Sequence, residues 1–363
     1  LLAYGDNALV GSANSVLTVT NSATIDDSND QFLGRFVFDS EQSQTGTVSD
    51  VDGLGLGSVA IGGNYTLEVV DQTKKNSGDD SIVLDNDLLD ANGQGGVLQI
   101  GQVGNQPSVS VPIELAGNNS GFSGTIRVQD GWKLTASVGD GETITDRLGS
   151  GVLDLLNGQA SIDFVDNVQW NHHVTGSGEL VISAKDHSIN LGDSAFGDDF
   201  SGTVTVGGGS MDLASNADKL GNGDLAASGS DSSIHVSGGQ SVSFGNDLTI
   251  KDGASLVFED TVDLSEQTDP ELIVGGSLVL DGAIVDVELD GELDISYEPP
   301  KEGLDMSAIT MADESELSYV LAKGGLVDIS DSDLILNGST EYNPMSVDIT
   351  NGTETIAKGK YDF

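Results

Sequence analysis

The chain contains no cysteine, only six prolines, and 13 Lys+Arg against 59 Asp+Glu in 363 residues. Without cysteine, neither a disulfide framework nor a thiolate metal site can hold the fold, and cysteine-free composition fits an exported bacterial surface protein. A formal charge of −46 leaves no basic stripe to neutralise phosphates, which argues against a nucleic-acid partner and against an anionic membrane surface. No run of about 18 apolar residues occurs, so no helical membrane insertion of this segment is expected. Residue 1 is Leu and no signal peptide is readable, so the start is expected to be processed or internal. Helical periodicity is scarce as well; Leu304 to Val320 is the one stretch whose spacing suggests a helix.

Short strands are abundant. Phe200, Gly202, Val204 and Val206 alternate with Ser201, Thr203 and Thr205, and Phe122, Gly124, Ile126 and Val128 alternate with Ser123, Thr125 and Arg127. A period of two puts the first set of each on a buried face and the second in solvent. Phe32, Gly34, Phe36 and Phe38 follow the same rule. The 49 glycines, with Asn-Gly and Asp-Gly pairs such as Asn92-Gly93, Asn157-Gly158 and Asp252-Gly253, supply left-handed backbone for hairpin turns or solenoid corners.

The strands recur in blocks. Leu17, Leu98 and Leu180, in VLTV, VLQI and ELVI, stand 81 and then 82 positions apart. Each is followed by a Phe-x-Gly strand and then by Leu54-Gly-Leu-Gly, Leu148-Gly-Ser-Gly or Leu220-Gly-Asn-Gly. Three blocks with one internal order indicate a repeat protein. A block of about 80 residues equals three or four coils of about 20–25 residues. The expected fold is therefore all-β, a right-handed parallel β-helix, or β-solenoid, with tandem sandwiches as the competing architecture. Residues 1–265 form the helix and 266–363 a C-terminal capping β region, because an open solenoid end exposes unpaired backbone and core.

Gly176 to Ile182, Ile189-Asn-Leu, Phe200 to Val206 and Ala217 to Gly223 together resemble the passenger-associated repeat of bacterial autotransporters. Asp269 to Gly282, with Tyr319-Val-Leu later, resembles the autochaperone cap of such passengers. The resemblance implies a surface-displayed, secreted β-helix at the bacterial cell surface, acting as an adhesin or self-associating factor in aggregation and biofilm. The translocating barrel expected after the cap is not in this sequence.

Candidate sites are sparse. Carboxylate pairs such as Asp198-Asp199, Asp79-Asp80 and Asp26-Asp27 sit in Gly/Ser-rich turns, where solvated acids are the simpler reading than glycan cleavage. Calcium is the cofactor that acidic turns would hold, and the candidates are Asp50 and Asp52, then Asp286, Glu288 and Asp290. No catalytic residue and no other cofactor site is readable. Alternation places Trp170 and His172 on one face and His173 on the other, so the imidazoles do not converge on a metal. Trp132 and Trp170 read as core-edge residues rather than glycan platforms. The expected function is non-enzymatic association, with itself or with a host or matrix protein or glycan. The alternative is a structural subunit of an extracellular filament or surface layer, joined through exposed strand edges.

Overall fold

The computed structural model describes residues 16–21, 24–25, 35–54, 56–70, 81–102, 111–193, 195–237 and 241–259, and beyond them ten strands between Glu271 and Tyr361. It is a β-solenoid of about nine turns with 7% helix. Two compact units divide it: one holds Leu1–Val165, Trp170–Val181 and Gly192–Gly202, the other Asp166–Gln169, Ile182–Leu191 and Thr203–Phe363.

In the first unit, stacked coils put like residues on like. Leu67, Leu98, Ile126, Leu153 and Val174 pair in parallel register, and all are at most 1% exposed. Burying each side chain contributes about 1.5–3 kcal/mol, so such columns are the main source of cohesion. On a second sheet Ile82, Ile113, Leu134 and Ala160 form an equivalent column, and on a third Phe36, Val59 and Leu88 do, with half-buried Leu17 in register at the end.

Coil length is uneven. Successive members of the Leu67 column lie 31, 28, 27 and 21 residues apart, longer on average than the 20–25 expected. The three strands aligned by sequence do not stack. Val16–Val19 pairs with Arg35–Phe38, Val97–Ile100 pairs with Tyr65–Val69 and Thr125–Gln129, and Glu179–Leu191 joins the sheet of Gln159–Phe164. Any apolar alternating strand satisfies any solenoid face, so similarity of strand sequence does not identify the sheet.

Glycines set the corners. A Cβ on Gly96 would stand 2.1 Å from the Gly62 carbonyl oxygen, one on Gly124 2.1 Å from that of Gly96, and one on Gly151 1.7 Å from that of Gly124. A second ladder runs from Gly158 through Gly178 to Gly202, with clearances of 2.1 and 2.0 Å. The blocked oxygens are already acceptors: Thr125 N–H donates to Gly96 and Val152 N–H to Gly124. The same residue explains the Phe-x-Gly spacing, because the Phe122 ring lies where a side chain on Gly124 would be. Phe122 and Phe200 are fully buried, while Phe32 lies outside the described residues. At Asn92-Gly93 both φ angles are positive and Gln94 N–H donates to the Ala91 carbonyl, as a tight I′ hairpin turn requires.

Buried polar side chains tie coil to coil. Asn119, with no exposed surface, accepts from Leu88 N–H at 2.9 Å and donates to the Arg147 carbonyl at 2.5 Å. Arg147, in the one-turn helix Ile144–Leu148, donates through Nη1 to the Ala116 and Gly117 carbonyls and through Nε to Ser137. Its Nη2 meets both Glu142 oxygens at 2.7–2.8 Å. Thr143 caps that helix; its N–H and hydroxyl both donate to Asp146, whose carboxyl those bonds hold below the usual range. Lysine cannot reproduce the planar fork of Arg147, so Arg147→Lys is expected to lower stability by about 1–3 kcal/mol, read as a shift in urea midpoint. An unchanged midpoint would mean that water replaces the carbonyl contacts at no cost.

In the second unit the same logic holds. Met211, Ile234, Leu256, Val285 and Leu317 stand in register. Asn216, fully buried, accepts from Leu191 N–H and donates to the Asp212 carbonyl. Thr205 is only 4% exposed, against its expected solvent position; it pairs with Ala226, also 4% exposed, before the strand Thr203–Asp212 changes partner from Asp224–Ser228 to Ser232–Ser237. Parallel ladders continue past residue 265, with Ser241–Phe244 on Glu271–Val274 and Ser255–Glu259 on Ile284–Leu289. Within the stretch expected to be helical, Ile309–Met311 and Glu316–Leu321 are strands, each paired in parallel with a strand of the preceding coil. Here ladder pairing overrides a weak local pattern. Met345–Asn351 and Glu354–Tyr361 form an antiparallel pair.

Candidate functional site

Outward positions of the first unit form two straight rows on one sheet. The register sets Thr45, Thr66, Val97, Thr125 and Val152 side by side, five β-branched residues in a row that ends on His173. Two residues on along each strand, Thr47, Glu68, Gln99, Arg127, Asp154 and Thr175 make a polar row. At an interstrand spacing of about 4.8 Å the polar row spans about 24 Å.

Side chains in the polar row hydrogen-bond to one another. Gln99 Nε2 donates to Glu68 at 2.9 Å and to the Gly101 carbonyl at 3.2 Å, and Thr47 reaches Glu68 at 3.5 Å. Burial pushes the Glu68 carboxyl up, against the two hydrogen bonds that lower it. Arg127 Nε donates to Asp154 at 2.7 Å, and Thr175 donates to the other Asp154 oxygen at 3.4 Å. The surface is therefore stiff at χ1 along most of one row and carries Glu68, Arg127 and Asp154 as the charges of the other, one net negative charge on a strongly acidic chain. It offers hydrogen bonding and dehydratable methyl groups, which suits association.

Arg127 was legible as an outward residue. The row it joins was not, since Glu68, Gln99, Arg127 and Asp154 come from coils 27 to 31 residues apart and alternation gives a face without a register. The outward-reading Ser201 is exposed and Thr203 half-buried.

The calcium candidates are spread over the two units. Asp50 is half-buried just before the 3₁₀ turn Val51–Leu54, which contains Asp52. Asp286 and Glu288 lie in Ile284–Leu289, in register with Val257 and Glu259, and Asp290 lies outside the described residues. Among the described residues no three His, Cys, Asp or Glu side chains gather as a metal would need. Asp198 and Asp199 are both exposed on Phe196–Phe200, while Asp26-Asp27 and Asp79-Asp80 lie outside the described residues.

Both tryptophans are interior. Trp132 is 3% exposed and Trp170 fully buried, so neither presents a stacking face to a sugar. Trp170 Nε1 donates to the His172 carbonyl at 2.9 Å, and the two rings meet edge to face. His172 is buried, whereas His173 is half-exposed, 3.9 Å from Asp199. No family model matches the chain, and no curated protein or solved structure matches it.

Proposed function

We propose that this chain is an extracellular, surface-displayed β-helix of the autotransporter-passenger kind, working by non-catalytic association with other copies or with a protein or glycan on a neighbouring surface. The two-row face of the first unit carries the reading. On a chain of charge −46 the approach of a second acidic body is opposed almost everywhere, and a face whose polar row carries one net negative charge, with Asp154 paired to Arg127, is where that opposition is least. In this reading residues 266–363 hold the C-terminal cap, and within them the antiparallel pair of Met345–Asn351 and Glu354–Tyr361 is what interrupts parallel pairing.

A filament subunit is the second reading. It is favoured by Val16–Val19, an outermost strand of its sheet among the described residues, with Val16 63% exposed. Open strand edges pair readily with another chain.

Sedimentation velocity across ionic strength separates the readings. Screening shortens from about 30 Å at 0.01 M salt to about 8 Å at 0.15 M, so discrete small oligomers are expected only at the higher salt, together with faster settling of cells displaying the chain. Species that lengthen without limit as concentration rises would select the filament. A monomer at every salt concentration, on cells that do not settle or bind a matrix, would sink both. Calcium chloride at matched ionic strength shows whether the acidic turns add a specific contribution.

A further inference from the structure

The corner Trp170-Asn171-His172-His173 holds a histidine in a place that suits only its neutral form. His172 is 5% exposed, and its Nε2 is buried with no hydrogen-bond partner. Phe164 and His172 both meet Trp170 edge to face, with ring centroids 6.3 Å away. The corner is pinned from the next coil by Gly192 N–H on the Trp170 carbonyl and by Val174 N–H on the Ala195 carbonyl, at 2.7 and 2.8 Å.

The strands and the turn next to it carry ionisable groups that do not neutralise it. Asp163 stands on Gln159–Phe164, Asp154 on Val152–Leu156, and Asp193, Asp198 and Asp199 on the turn and strand that follow. None of these carboxylates bonds to the His172 ring; Asp154 is engaged with Arg127 and Thr175, and Asp199 faces His173. A proton on His172 would therefore be a desolvated charge beside a second imidazole.

We infer that this corner is an acid-sensitive latch: protonation of His172 drives its ring out of the pocket, breaks the contact with Trp170 and uncovers the indole, while the coils on either side stay folded. Burial, and to a lesser extent His173, holds the His172 imidazole at about 4 when the corner is closed, against 6.5 for a free side chain. The open form takes up the proton first as pH falls, so opening is favoured below about 6.5 and grows towards 4. Loss of net negative charge acts the other way in the same range, because falling self-repulsion favours compact coils. An opening confined to this corner therefore stands out from the response of the rest of the chain.

With two tryptophans in the sequence, Trp132→Phe leaves Trp170 as the only indole reporter in the full chain. The expected result is a reversible red shift of its emission with a midpoint between pH 6.5 and 4, at constant far-ultraviolet circular dichroism. His172→Gln and His172→Phe should each abolish that shift; the two differ in size and polarity, so one reads the effect if the other fails to fold. His173→Gln should reduce the extent of opening and move its midpoint to lower pH, because the closed corner then tolerates the proton on His172 better. Emission that stays blue to pH 4, an equal shift in both His172 variants, or simultaneous loss of the β signal would overturn the inference.

Discussion

Gly151→Ala should cost the first unit about 3 kcal/mol or more, enough to lower its urea midpoint sharply or to leave the chain insoluble. The added methyl would stand 1.7 Å from the Gly124 carbonyl oxygen, which already accepts from Val152 N–H. Unlike a side chain, that oxygen cannot rotate away. Relief requires moving two coils apart, which lengthens ladder hydrogen bonds and opens the Leu153 column. Ordinary overpacking costs about 1–3 kcal/mol, and a clash against backbone lies at the top of that range or above it. Gly141→Ala is the matched control. Gly141 has φ +71° and nothing within 4 Å of a new Cβ, so only the left-handed penalty of about 1–2 kcal/mol applies. If the two variants lost the same stability, the corner ladder would be ordinary turn chemistry and the steric account wrong.

The second large effect is expected at Asn119. Asn119→Leu fills the space but strands the Leu88 N–H and the Arg147 carbonyl inside the protein. Each unsatisfied buried group costs about 1–3 kcal/mol, giving about 2–6 kcal/mol together. Asn119→Asp discriminates further. Its carboxylate still accepts from Leu88 but cannot donate to Arg147, and it places a charge at a position with no exposed surface. Burial raises such a carboxyl above its unfolded value of about 3.9, so the variant binds more protons folded than unfolded. Its deficit relative to the parent should therefore shrink as pH falls towards 4, when the protonated acid regains a donor. A deficit that ignores pH would mean that the donor to Arg147 contributes little.

How much of this was readable in the sequence depends on the kind of information. Alternation at Phe122–Val128 and Phe200–Val206 gave buried faces correctly, with the exception of Thr205, because a half-buried strand needs only one apolar side. Repetition pointed to a solenoid, since stacked coils reuse the same corner and core chemistry. Register was hidden: nothing in Glu68, Gln99, Arg127 and Asp154 announces that they stand side by side, as the coils between them differ in length. Asn119 and Asn216 were hidden for another reason. An asparagine in a turn usually serves its own turn, and only the stacked neighbour reveals that it serves the adjacent coil. His172 was assigned to the right face, but that its ring nitrogen has no partner is a property of the packed corner.

The unequal coils have a mechanical meaning. Consider one end of the first unit pulled along the direction in which its strands stack. Tension then acts across one interstrand ladder at a time, and each rupture frees the chain held in a single coil. Coils of 31, 28, 27 and 21 residues, at about 3.4 Å per extended residue, release slack in steps from about 105 Å down to about 70 Å. The spacing of the Leu67 column thus sets a graded series of lengths, a different one for each coil that yields under load.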